Sequence, residues 1–501
     1  MLNTERNKKT IFEKNDEIIK YILNNGKVIG EGSYAKVYEY EFKETDRYKE
    51  YIKNKKNNTA WKIVKHEQRT DLEQDYVREI SLSAKKGEKI IKCENILIGE
   101  KYSAYSTKKG KADLSDLLKN NRKYVLKNIY EIIKQILEIL YILEKNEILH
   151  RDIKPNNFIY DIVNDKINIK LIDFGLAIPM IIENEKSLDA YALWLRPPEI
   201  VACKENYMKN SIYNEKADMW STGMTILKIV TNEYLLMYNE TNEMIEIMKL
   251  ICEYNKKNNY IKDIINCKID KKITFEIIDK LINVDINVKD DIKNIIENSL
   301  HFNKNKRLSS KEGLNILKIN EKIINTEIYN DIKREPYKEN IFNEKKQKMK
   351  ILIRMCDDLE ISGETFVVSM DIFDRFIKKI ENYKIIDIDL LLCSSILLAS
   401  KLIDQKHYKA YHMRYYEEFM EKTKKNKKDI IDNLIEHQKY IMILLDYEIY
   451  NTKVNILVKT IYEISKKYNI NIWKIIRKLI KIDTLHESYD QLSIKLKKEY
   501  E

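Results

Sequence analysis

The chain has 501 residues, 44% of them hydrophobic, enough for two or three separately packed domains and too much for a disordered polymer. Its net charge of +11 arises from 90 basic residues interleaved with 79 acidic ones, with no long tract of one sign, which describes a solvated lysine-rich surface and argues against nucleic acid as a partner. No apolar run approaches the about 18 residues of a membrane span, the start MLNTERNKKT lacks a signal-peptide core, and the six cysteines include no CxxC pair, so the expectation is an intracellular protein of the cytoplasm or nucleus, not secreted, with reduced thiols.

Residues 1–24 turn from polar to helical in pattern, and 26–65 read as strand: VIGEGSYAKVYEYEF alternates as a hairpin does, and TAWKIVK is a short strand after it. The charged stretch between them, 44–58, is predicted to be a mobile loop. Residues 71–86 predict a helix, and ILIGEKYSAYS predicts further strand. Helical periodicity runs through 113–149, loops through 150–199, and helix again to about 318. Residues 319–344, highly charged and holding Pro336, predict a linker with some helix, and everything from 345 on is helical in pattern. No internal repeat is visible. In a chain with only 10 Gly and 5 Pro, the positions that keep them mark special backbone geometry, and Gly30, Gly32, Gly175, Gly223, Pro155, Pro197 and Pro198 all fall in the segments that follow.

Phosphoryl transfer needs a clamp on the nucleotide phosphates, a cation against them, a metal and a residue that orients the acceptor hydroxyl. The segment Gly30-Glu31-Gly32-Ser33-Tyr34-Ala35-Lys36-Val37 reads as a strand, turn and strand whose glycines let backbone approach phosphate, with Ala35 where a third glycine is usual. Lys62, in Thr59-Ala60-Trp61-Lys62, lies on the next strand and can pair with the α- and β-phosphates; Glu79 on the following helix is its expected carboxylate partner. In His150-Arg151-Asp152-Ile153-Lys154-Pro155-Asn156-Asn157, Asp152 can accept or aim the hydroxyl proton and Lys154 can sit against the γ-phosphate. Asn157 and Asp173, the latter in Leu171-Ile172-Asp173-Phe174-Gly175, offer oxygen ligands for Mg2+.

On these motifs residues 26–318 resemble the eukaryotic protein kinases, and the lysine two residues after Asp152 resembles the serine/threonine branch. The resemblance implies that ATP is bound by Gly30, Gly32, Val37, Ala60, Lys62, Glu79, Asn157 and Asp173, that Asp152 and Lys154 are catalytic, and that Asn157 and Asp173 hold the metal. Arg196-Pro197-Pro198-Glu199, Asp218-Met219-Trp220-Ser221-Thr222-Gly223 and Arg307 match structural elements of the family, Arg307 as the ion-pair partner of Glu199. Arg78-Glu79-Ile80-Ser81-Leu82 and Leu193-Trp194-Leu195-Arg196 resemble the cyclin-dependent kinases. That likeness places Ser187 at the activating phosphorylation position, with Arg151 and Arg78 as phosphate-binding arginines and Ile178 in place of a third. Ala192 replaces a threonine that in the family bonds the catalytic aspartate and lysine.

Residues 345–450 resemble a cyclin box, through Glu364-Thr365-Phe366 to Phe373-Asp374-Arg375-Phe376-Ile377, Leu390 to Lys401, and Ile431 to Ile449. In cyclins a lysine and a glutamate contact the regulatory helix of the kinase; Lys401 matches the lysine, Gln438 stands in the place of the glutamate, and the arginine partner of Asp374 is not assignable from sequence. The fold class expected is α+β, a bilobal protein kinase fold with a β-rich N-lobe and a helical C-lobe followed by an all-α cyclin-like domain. Its parts are an N-terminal extension (1–25), a protein kinase domain (26–318), a linker (319–344) and a cyclin-box-like helical domain (345–501). The function implied is an ATP-dependent protein serine/threonine kinase using ATP and Mg2+ on protein substrates, activated in cis by the intramolecular cyclin-like domain, with no membrane partner. A flexible linker of that length reaches roughly 30 Å, giving an effective concentration on the order of mM. Two other readings stand beside it: a kinase whose tail is an unrelated binding module, and a pseudokinase scaffold, against which the full set Lys62, Glu79, Asp152, Asn157 and Asp173 speaks.

Overall fold

The structure is a computed structural model that describes residues 11–31, 35–43, 45–49, 52, 59–65, 82–83, 89–99, 101–180, 186–188, 190–205, 210–211, 213–235, 260–282, 288–318, 345–346, 348–349, 353, 356, 361–379, 388–403, 434, 437–438, 440–442, 444–445, 449–451, 454–482 and 488–500. The chain forms two compact units, Met1–Glu79 with Lys85–Glu327, and Ile80–Ala84 with Ile328–Glu501.

The first unit begins with α1 (Ile11–Asn25), then β1 (Lys27–Glu31), β2 (Ala35–Glu39), β3 (Thr59–Lys65), β4 (Cys93–Ile98) and β5 (Tyr102–Lys108). The five strands make one antiparallel sheet in the order β1-β2-β3-β5-β4. The period-2 alternation that predicted them sorts side chains onto two faces. Tyr38, Trp61, Ile63, Leu97 and Ala104 share one buried cluster with Ile18, Ile19 and Ile22 of α1. The predicted mobile loop 44–58 is corrected in part: Tyr48 and Ile52, its two large apolar residues among those described, are buried in this same cluster, because the sheet and α1 leave apolar surface that they cover. Of the helix predicted over 71–86 only Leu82 and Ser83 are described, and both are helical.

The helical part follows: β6 (Ala112–Asp113), α2 (Leu114–Asn120), α3 (Arg122–Lys127), α4 (Ile129–Lys145), β7 (Ile148–Leu149), β8 (Phe158–Val163), β9 (Lys166–Leu171), β10 (Ile178–Pro179), β11 (Lys186–Ser187), α5 (Pro198–Glu205), β12 (Asn210–Ser211), α6 (Glu215–Thr231), α7 (Tyr260–Ile265), α8 (Phe275–Ile282), α9 (Asp290–Ser299) and α10 (Ser310–Ile316). Helices α4 and α6 are buried on most of their circumference and form the centre. Asp113 and Asn214 cap α2 and α6, and Ser309 with Glu312 closes a capping box on α10. The loops predicted over 150–199 are corrected: β8 and β9 form a hairpin, since Phe158 and Tyr160 alternate with more exposed residues just as Ile167, Ile169 and Leu171 do.

The second unit is helical, as its pattern predicted: α11 (Gly363–Lys379), α12 (Ile388–Ile403), α13 (Val454–Tyr468), α14 (Ile472–Ile482) and α15 (Tyr489–Lys498). Gly363 lets α11 approach α14, since a Cβ there would stand 2.6 Å from Ile472 Cγ2. Phe366 packs edge-on against Trp473 at 5.8 Å. Among the described residues, no helix is long and apolar enough to cross a membrane.

Candidate active site

Strand register assembles the first part of the site. Gly30 stands opposite Val37, Val37 opposite Lys62, and Lys62 opposite Tyr105, with Ala60 two positions along β3 on the same face. Gly30, Val37, Ala60 and Lys62 are half-buried, whereas Trp61 and Ile63, one residue out of phase, are buried on the other face. Gly32, Arg78 and Glu79 lie outside the described residues, and with them the expected Lys62–Glu79 pair.

The Lys62 Nζ lies 2.8 Å from Asp173 Oδ1. Asp173 follows β9 with a φ of 63°, in the left-handed region, which turns its carboxylate out of the strand direction. Burial pushes this carboxyl up, but the Lys62 ammonium, His150 and the Gly175 N–H outweigh it and hold it below the usual carboxylate value. The next residue, Phe174, is buried with its ring 4.9 Å from that of His150, whose Nε2 lies 3.1 Å from the Ile172 carbonyl.

The segment 150–157 supplies the second part. Asp218, buried in α6, accepts from the backbone N–H groups of His150 (2.7 Å) and Arg151 (3.0 Å) and so fixes the segment's path. Burial pushes the Asp218 carboxyl up, against the favourable contributions of His150 and those N–H groups. A 3-10 turn over Pro155–Asn157 leads into β8. The β8–β9 hairpin then sets Phe158 opposite Leu171, and the Ile172 N–H donates to the Asn157 carbonyl at 2.9 Å. The hairpin missed in the sequence is thus what brings Asn157 beside Asp173. Asp152 Oδ2 receives Lys154 Nζ at 2.7 Å and Asn157 Nδ2 at 2.8 Å, and the same amide donates to the Asp152 carbonyl at 2.7 Å. Asp152 is therefore held without a threonine at position 192.

The oxygen donors suit a hard cation: Asn157 spends its NH2 on Asp152, leaving Oδ1 as its ligating end, and Asp173 brings a carboxylate. Among the described residues no three His, Cys, Asp or Glu side chains converge.

Around the segment 186–213, Arg151 donates from Nε to the Leu176 carbonyl (2.6 Å) and from Nη1 to Tyr213 Oη (3.1 Å). Lys186 is buried, its Nζ 5.6 Å from the Tyr213 ring centroid; burial, then the nearby Arg151, lowers its ammonium to about 8. No motif flagged Lys186 or Tyr213; the signal was only a lysine next to Ser187. Ser187 lies on β11, paired with Asn210 of β12, and its side chain is outside the described residues. Ile178 is buried in the apolar cluster with Tyr213. The predicted Glu199–Arg307 pair is present, with both guanidinium nitrogens at 2.9 Å and both groups buried.

In the second unit, Lys401 Nζ donates to Gln438 Oε1 at 2.8 Å, so the two residues that match the kinase-contacting positions of cyclins bond to each other. Asp374 forms a buried ion pair with Lys345, a lysine where the cyclin resemblance implied an arginine. Asp371 accepts from Arg375 Nε (2.7 Å), Asn451 Nδ2 (3.1 Å) and Tyr489 Oη (2.8 Å), which ties α11 to the C-terminal helices.

A five-stranded sheet carrying a phosphate-side lysine, joined to a helical part whose loops present an Asp-Lys-Asn cluster, is the architecture of a phosphoryl-transfer enzyme. The sequence pattern of the Protein kinase domain matches residues 23–317, and the chain belongs to the protein kinase family. The pattern described as Cyclin, N-terminal domain matches residues 315–450. Over 234 residues, 44% of the chain, it is 27% identical to serine/threonine-protein kinase 10 of Homo sapiens, covering 22% of that protein. The mouse (Mus musculus) protein of the same name is 29% identical over 234 residues, with 22% of its length covered. Serine/threonine-protein kinase mig-15 of Caenorhabditis elegans is 32% identical over 124 residues, 24% of this chain and 11% of that one. The chain thus matches less than a quarter of the length of these relatives.

Proposed function

We propose that the chain is an ATP-dependent protein serine/threonine kinase, acting on Ser and Thr hydroxyls of protein substrates, and that its cyclin-like domain activates it in cis. The observation that carries the first part is the Asp152 carboxylate held between Lys154 and Asn157, with the Lys62–Asp173 pair on a kinase-family chain. In this reading the sheet face of Gly30, Val37 and Ala60, with Gly32, covers the nucleotide, and Lys62, held by Glu79, meets its α- and β-phosphates. The substrate hydroxyl is aimed by Asp152, which takes its proton as the oxygen bonds to the γ-phosphorus and the bond to the β-phosphate oxygen breaks. Lys154 offsets charge on the transferring group. Asn157 and Asp173 would hold Mg2+, which neutralises the phosphates when bound.

The cis activation is supported by the cyclin N-terminal match in the same chain and by the Lys401–Gln438 contact within it. Lys401 then bonds to the kinase's own regulatory helix over 71–86 and favours the position in which Glu79 meets Lys62. Ser187, once phosphorylated, is read as ordering its segment on Arg151 and Arg78. In this reading the kinase works in the cytoplasm or nucleus, a reading supported by six cysteines without a CxxC pair. The deciding experiment is a radiolabel-transfer assay on a peptide library, with the full-length protein and with residues 1–320. Transfer to Ser or Thr by the full chain, falling at least tenfold on truncation, is expected. Equal activity in both makes the tail an unrelated binding module, and no Mg-ATP binding or transfer makes the chain a scaffold.

A further inference from the structure

We propose that α1, which lies almost wholly before the kinase-family match, is a positioning element for ATP: it fixes the strand that carries Lys62. The inference rests on the kinase reading above. The match begins at residue 23, so 12 of the 15 residues of α1, Ile11 to Ile22, are an addition to the family pattern. Its buried residues Asn15, Ile18, Ile19 and Ile22 recur at helical spacing and make one face. That face lies in the apolar cluster with Trp61 and Ile63. These two flank Lys62 in β3, and strand alternation puts them on the side of the sheet opposite to it. Whatever sets the depth of Trp61 and Ile63 therefore also sets the height of the Lys62 ammonium over the cleft.

Apolar packing alone tolerates sliding, and α1 is not held by packing alone. Asn15 Nδ2 donates to the Ile98 carbonyl at 2.7 Å. The buried Asp16 carboxylate accepts from the backbone N–H groups of Lys101 (3.1 Å) and Tyr102 (3.0 Å), at the turn from β4 to β5. Gly99 makes this possible, because a Cβ there would stand 2.1 Å from Asp16 Oδ1. Near the other end, Tyr21 Oη donates to Asp46 at 3.0 Å, Asp46 also receives Tyr40 Oη at 2.8 Å, and the Tyr40 carbonyl accepts from Trp61 Nε1 at 3.2 Å. Two polar attachments, one to β4–β5 and one leading to Trp61, fix both the axial position and the rotation of the helix. A displacement of Lys62 by about 1 Å is enough to matter for phosphate positioning.

The test uses full-length Asp16→Ala, Asp16→Asn and Ile19→Ala, assayed below their melting temperatures. The readouts are KM for ATP, KM for peptide, and Mg-ATP binding by calorimetry. The expected result is an increase of at least about threefold in KM for ATP and in the Mg-ATP Kd for Asp16→Ala and Ile19→Ala, with KM for peptide unchanged. Asp16→Asn, which keeps an acceptor oxygen, should recover most of the loss. Folded variants whose KM for ATP stays within twofold of wild type, or that lose both substrates equally, overturn the inference while leaving the kinase reading intact. A wild-type protein that binds no Mg-ATP overturns the kinase reading and this inference with it.

Discussion

Asp152 and Lys62 each answer to a short set of contacts, so their removal should act on chemistry rather than on folding. Asp152→Asn keeps the size and the hydrogen-bonding capacity that Lys154 and Asn157 use but loses the proton acceptor, and Lys62→Met loses the charge that faces Asp173. Each should cut phosphate transfer by more than tenfold with unchanged circular dichroism; activity within tenfold of wild type in either would contradict the roles assigned. Lys186 makes the opposite kind of prediction. Its folded-state value of about 8 lies below its ordinary 10.5, so the unfolded chain binds the extra proton between those limits and stability rises with pH across that window. Below pH 8 the cost of the buried cation is complete. Lys186→Met should therefore stabilise the protein at pH 7 by on the order of 1–3 kcal/mol, with the gain shrinking as the pH approaches 10.5. Thermal melts of both proteins from pH 7 to 10 check this, and a gain independent of pH would show that Lys186 is not the titrating group.

At the scale of elements, the strands over 26–65 and the helices beyond 113 follow from period-2 and period-3.6 patterning, which depends only on neighbours along the chain. The β8–β9 hairpin escaped because its strands sit among motif residues chosen for chemistry, and its alternation is visible only once the faces are known. Tyr48 and Ile52 escaped for a related reason: two apolar residues in a charged stretch become core only when α1 and the sheet offer a surface to cover. Lys345 and Asp374 are another such case, joined across 29 residues as a buried ion pair. Lys345→Met takes the ammonium away from a buried carboxylate and should destabilise the second unit by about 3–5 kcal/mol. Adding Asp374→Leu should restore most of that. Amide exchange in α11 during denaturant titration reads both effects, and a double variant no more stable than the single one would mean that the pair matters through shape and not charge.

For the whole molecule, the kinase and cyclin-type matches in one chain predict a dependence of activity on the second unit. Lys401→Ala in the full-length protein should lower kcat at least about fivefold while leaving the first unit's melting unchanged, and unaltered kcat would remove Lys401 from the activation model. Mass spectrometry of active protein should find phosphate on Ser187, and Ser187→Ala should lower activity; absence of both would leave Arg151 with the Leu176 carbonyl and Tyr213 as its partners.

The sequence by itself determined the kinase family, the identity of the Asp152, Lys154, Asn157 and Asp173 motifs and the Glu199–Arg307 pair. Each is a chemical group at a spacing that phosphoryl transfer or a known packing pattern requires, so it is legible without coordinates. Only the tertiary structure decided that the Asp152 carboxylate is held by Asn157 in the presence of Ala192, that Lys186 is a desolvated cation beside Arg151, that Lys345 neutralises Asp374, and that α1 backs the strand of Lys62. Those facts depend on which distant side chains share a low-dielectric interior, and burial sets the energy of a charge or an apolar face only after the chain has brought its partners together.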